Sequence, residues 1–144
     1  MSTATRFLPA LGRLLIATLF LWSGVHKLGD PSGVIGFIGR SGLPFPPLAF
    51  AVALACELGG ATLLAVGYQT RAAAVALAAF TVVAAVSFHR NLADLDELIS
   101  LLKDFAITGG LLQIVASGAG ALSVDALRSG AAHGAVNAGS PTNA

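Results

Sequence analysis

The sequence is short of charge and of cysteine. Of its 144 residues only 10% are Asp, Glu, Lys or Arg, against about a quarter in soluble domains. That is too few to clothe a water-facing surface and points away from a soluble globular domain. Eight bases and seven acids leave a formal net charge of +1. No basic patch of the kind a phosphate backbone requires can be drawn from them, which argues against a nucleic-acid partner. The single cysteine, Cys56, excludes an internal disulfide and a CxxC redox pair within these residues. It reads as a small space-filler beside Glu57. There is no phosphate-cradling glycine loop, no Ser/His/Asp order and no haem-attachment motif. The His and acid spacings match no metal-ligand pattern, so no metal is expected.

What is present is apolar length: 56% of the residues are hydrophobic. About 20 apolar residues rising 1.5 Å each cross a ~30 Å hydrocarbon core. Four stretches come close to that, 9–25, 48–66, 72–88 and 98–116. They predict an all-α polytopic membrane protein, a single four-helix bundle over 1–128, with a small, polar tail over 129–144 expected to be disordered. Met1 to Leu8, with Arg6, imitates the basic part of a signal peptide, but no small-x-small cleavage site follows, so the first helix reads as retained.

Local signals place the ends. Pro9 suits the first turn of helix one, and Trp22 and Lys27 read as interfacial anchors. Asp30-Pro31 starts a short interfacial helix through Val34, Ile35, Phe37 and Ile38 that Gly39 is expected to stop. Thr70 is the expected cap of the third span, with Arg71 explained by headgroups or topology rather than helix stability. Ser123 is the expected cap of a short terminal helix through Leu127. Ala51, Ala55 and Gly59, at four-residue spacing, form a small-residue stripe for close helix approach, as do Ala74 and Ala78. Four spans put both termini on one side. Lys and Arg are shared equally between the two sides, so the expectation of cytoplasmic termini is only a leaning.

Glu57 is the residue around which the rest is arranged. A carboxylate in the middle of a span costs roughly 2.5 kcal/mol or more to insert, so it must face protein or water. Axial arithmetic puts Lys103 ~6 Å and Arg13 ~10 Å from its level, both within reach of a long side chain. Two readings follow. In one, an ion pair makes burial tolerable and fixes helix register. In the other, Glu57 handles protons, with Lys103 or Arg13 stabilising the anion. His26, Lys27 and His89 end helices one and three on one side and are the candidate cofactor-binding residues. Asp94, Asp96 and Glu97 lie nearby as a solvated rim.

Arg13 with SGVHKLGDP (Ser23 to Pro31), GLP (Gly42 to Pro44), ELGG (Glu57 to Gly60), GYQTR (Gly67 to Arg71), His89 and GAGALSVD (Gly118 to Asp125) together resemble the DoxX family, over Leu8 to Asp125. That resemblance implies a small bacterial inner-membrane protein of four helices. It further implies a link to thiosulfate:quinone oxidoreduction or a thiol stress response, with quinone as the cofactor and a redox partner subunit. Lipid and a homo-oligomer complete the expected partners. Whether the chain is itself an enzyme is left open. The alternatives are a non-catalytic assembly or scaffold protein and, more weakly, a small transporter, for which no inverted repeat is evident.

Overall fold

The computed structural model describes residues 3–130, of which every regular element is helical. We number the helices α1 (Thr3–Gly29), α2 (Pro31–Arg40), α3 (Pro46–Val66), α4 (Thr70–Phe88) and α5 (Leu95–Ser117). A further short helix covers 124–130. Of the tail expected to be disordered, residues 131–144 lie outside the described part. Helices α1, α3, α4 and α5 are each long and apolar enough to cross a membrane. Their outward faces carry residues such as Leu15, Val83 and Leu112, all more than half exposed. Apolar surface of that extent is what a bilayer accepts and water does not. This is a four-helix integral membrane protein.

Several ends differ from the expected ones for local reasons. Pro9 lies inside α1, which starts at Thr3. As the seventh residue of the helix it lies past the first turn, and its missing N–H forfeits one hydrogen bond to the carbonyl four residues back. Asp30 caps α2 by accepting from the Gly33 amide at 2.9 Å, with Pro31 in the first turn. Gly39 does not stop α2. The helix runs through Arg40, the Ser41 amide still reaches the Phe37 carbonyl at 3.1 Å, and Gly42 (φ 79°) turns the chain away. Asp94 caps α5 by accepting from the Asp96 amide at 2.9 Å, so that helix starts at Leu95 rather than Leu98.

The core joins Ala17 and Phe20 of α1, Ala61 and Leu64 of α3, Ala74, Leu77 and Ala78 of α4, and Leu111 and Ile114 of α5. The α4–α5 pair packs along most of its length. Ala74 and Ala78 are buried, as small residues at a helix contact should be. The Ala51, Ala55 and Gly59 stripe is different: all three are exposed. Ala53, Glu57, Ala61 and Leu64 face inward instead. A turn of π-helix covers Ala55–Gly60 and holds Glu57 within it. Such bulges are frequent at functional sites.

Gly24 lets α1 approach this bulge. A Cβ at Gly24 would lie 2.7 Å from Leu58 Cδ2 and 3.3 Å from Glu57 Cβ. The start of α1, the α3–α4 turn and the segment after α5 gather at one end of the bundle. Helix α2 folds over the other, with Ile38 buried and the Phe37 ring stacked on Phe88 at 5.3 Å.

Candidate functional site

Glu57 is only 4% exposed. Its Oε1 accepts from Lys27 Nζ at 2.7 Å and from Ser23 Oγ at 3.0 Å, and Lys27 Nζ also donates to Ser23 Oγ at 2.7 Å. Its other oxygen, Oε2, is buried without a hydrogen-bond partner among the described residues. Ser23 and Lys27 are one turn apart on α1, so both reach the same oxygen. Lys27 stands in the last turn of α1, where the helix dipole favours a cation. Lys27 therefore turns inward rather than anchoring at the headgroups.

Neither expected partner of Glu57 is its partner. Arg13, 2% exposed, donates from Nη1 to the Leu64 carbonyl at 3.3 Å and from Nη2 to the Leu122 carbonyl at 2.6 Å. It ties α1 to the end of α3 and to the terminal loop, on the far side of the core. Lys103 is exposed on the outer face of α5. Its neighbour Asp104 faces in, because one residue turns a helix by about 100°. Asp104 Oδ2 lies 3.5 Å from His89 Nε2. This second acid–base pair has a sequence signal, an acid in a span beside a base, and the helix phase brings Asp104 rather than Lys103 inside. Of the three candidate cofactor-binding residues, Lys27 and His89 come to one cavity. His26 stacks on Trp22 (6.5 Å between rings, 11° apart) and is exposed outside it.

That cavity measures about 490 Å³ and lies between α1, α3, α4 and α5, beneath α2. Phe20, Phe37, Phe80, Phe88 and Ile107 make its apolar walls, and Ser23, Lys27, Glu57, His89 and Asp104 its polar groups. An apolar volume with a few convergent polar groups is the usual form of a small-molecule site. Cys56 is not on its wall.

The opposite end is held by Asp125. Its carboxylate accepts from the amides of Gln69 and Thr70, each at 2.9 Å, and from the Thr70 hydroxyl at 2.8 Å. Thr70, expected to cap α4 itself, is the residue being capped. The residue before it, Gln69, is held at φ 45° and makes no side-chain cap. The Thr70 amide above all, helped by its hydroxyl and the Gln69 amide, holds the Asp125 carboxyl below the usual carboxylate range. An acid at this helix start also relieves the cost of Arg71 beside it. Gly67, at φ 73°, passes so close to Arg13 and Ser123 that no Cβ fits.

A family model described as DoxX matches residues 8–90, more than half of the chain. The chain belongs to the DoxX family. It is similar to the inner membrane protein YqjF of Escherichia coli (strain K12), 32% identical over 117 residues that cover 81% of this chain and 88% of the relative. It is also similar to the inner membrane protein YphA of the same organism, 28% identical over 120 residues covering 80% and 86%. No solved structure matches it. In this DoxX-family chain the matched span carries Ser23, Lys27, Glu57 and His89, while Asp104 and Asp125 lie beyond it.

Proposed function

We propose that this protein is an inner-membrane subunit of a quinone- or thiol-linked redox system, and that the cavity beneath α2 receives a quinone head group. The observation that carries this reading is Glu57, a lining residue of an apolar cavity whose Oε2 is buried with no hydrogen-bond partner among the described residues while Oε1 has two. Buried polar atoms are nearly always satisfied; Arg13 Nε is also unpaired, but Glu57 is the one of the two that stands at the cavity. A bound quinone supplies paired electron and proton transfer. Glu57 holds or releases a proton at Oε2. Lys27 and Ser23 fix Oε1 and keep the anion tolerable, and the Phe walls exclude water. Electrons are exchanged with a partner subunit. The inner-membrane placement follows the two relatives, and we assign the termini to the cytoplasm.

The test is to purify the protein with its lipids, extract quinone and quantify it per chain. Wild type should carry quinone well above the amount in protein-free membranes, and Glu57→Gln should lose about tenfold of it. Wild type with no more quinone than its lipids bring would overturn the reading. One observation favours a second reading, an assembly role: the Ser23–Lys27–Glu57 network ties α1 to α3. In that case Glu57→Gln would lower thermal stability and leave quinone content unmoved.

A further inference from the structure

The cavity has two acid–base pairs on different walls. Lys27 and Glu57 come from α1 and α3, and His89 and Asp104 from the end of α4 and from α5. We propose that both pairs grip the same ligand, which is therefore a neutral ring bearing oxygen on two opposite edges, and that His89–Asp104 is the second recognition point. This rests on the head-group reading above and narrows it to a 1,4-dioxygenated ring, as against a thiol, a fatty acid or a sulfur oxyanion.

Three features support the choice. The first is reach. A cavity of this volume is roughly 10 Å across if round, and a single six-membered ring with a ~2.8 Å hydrogen bond at each oxygen spans about that distance. The second is charge. Lys27 and Glu57 balance one another, and His89 beside Asp104 contributes zero or one negative charge according to the protonation of His89. The cavity therefore has no spare positive charge for a carboxylate, thiosulfate or phosphate, and a neutral ligand is the one it admits without an uncompensated charge. The third is composition. Cys56 is off the wall, so no thiol meets a ligand there. The four lining Phe rings offer flat apolar faces to a flat ring.

Both pairs can donate and accept. Lys27 Nζ and an N–H of His89 donate to a carbonyl oxygen, and the Glu57 and Asp104 carboxylates accept from a hydroxyl. The two acids differ in wetness, the Glu57 side chain being 5% and that of Asp104 26% exposed, while the two bases match, Lys27 at 25% and His89 at 26%.

The experiment measures binding to purified protein in lipid nanodiscs by equilibrium retention, with three probes carrying saturated tails of closely matched length. These are a 1,4-benzoquinol, a phenol with one oxygen, and the plain carboxylate decanoate. Wild type should bind the quinol at least about tenfold more tightly than the phenol, one good hydrogen bond's worth, and decanoate weakest. His89→Gln and Asp104→Asn should each collapse the quinol-to-phenol ratio toward one. His89→Gln keeps size and hydrogen-bonding character, so it serves if Asp104→Asn fails to fold. A ratio that survives both substitutions, or phenol or decanoate binding as tightly as the quinol, overturns this inference and leaves the head-group reading standing. If wild type binds none of the three, both fall together.

Discussion

Asp125 Oδ2 lies 2.9 Å from the backbone nitrogen of Thr70 and 2.8 Å from its hydroxyl, so the short helix over 124–130 caps a helix that begins 55 residues earlier. The Asp125 amide in turn donates to the Gly67 carbonyl at 2.9 Å. The helix start and the terminal segment are thus fastened in both directions.

Removing that cap should cost about 1 kcal/mol, the usual loss for a helix cap, in Asp125→Ala. The pH dependence has a definite sign. Because the folded-state pKa of Asp125 lies below its ordinary value, its contribution is complete above the ordinary carboxylate pKa of ~3.9 and fades as pH falls through the folded value. Thermal unfolding in detergent between pH 3 and 7, as about the accessible window, should show wild type losing stability at the acid end and Asp125→Asn losing less of it. Parallel curves for the two proteins would refute this.

Breaking the Lys27–Glu57 pair from one side should hurt more than removing both charges. Lys27→Met strands a buried carboxylate and should destabilise by about 1–3 kcal/mol, less than for a fully dry pair because Lys27 is a quarter exposed. Lys27→Met with Glu57→Gln should recover most of the loss. The double-mutant cycle on melting temperature reads the coupling directly. Simple additivity of the two single losses would mean the pair is not coupled.

Close approach of α1 to the π turn predicts a compensating pair. Gly24→Ala drives a methyl to 2.7 Å from Leu58 Cδ2, and overpacking of that kind costs typically 1–3 kcal/mol, about that much here. Trimming the opposing side chain with Leu58→Ala should make Gly24→Ala far better tolerated than it is in wild type. If Gly24→Ala is equally harmful in both backgrounds, the clash is not the cause.

Arg13 should behave as a clasp rather than as a counter-ion of Glu57. Arg13→Met leaves the Leu64 and Leu122 carbonyls without their donor and should cost about 1–3 kcal/mol. Arg13→Lys should restore only part, since one ammonium does not reproduce the guanidinium fork. Limited proteolysis within 118–130 should accelerate in Arg13→Met, and quinone content should stay at the wild-type level. Loss of quinone with the terminal segment still protected would place Arg13 in the site after all.

The linear chain settled what depends on length and on local chemistry. Four apolar stretches are long enough to span because a bilayer imposes a minimum length. Asp30-Pro31 starts α2 because a carboxylate and a proline suit a helix N-terminus wherever they occur together. Glu57 needed a basic partner because an acid in hydrocarbon cannot be left alone. Tertiary structure decided which base that is. Depth along the membrane normal is one coordinate of three, and it favoured Lys103 and Arg13. The azimuth of each helix and the choice of neighbours chose Lys27, with α1 packed on α3 and Glu57 carried in a π turn that no spacing rule shows. The Ala51, Ala55 and Gly59 stripe, two residues out of step with Glu57, faces outward, and a single residue's turn on α5 put Asp104 inside and Lys103 outside. Contacts between residues far apart in the chain are made by packing, and only the packed bundle reveals them.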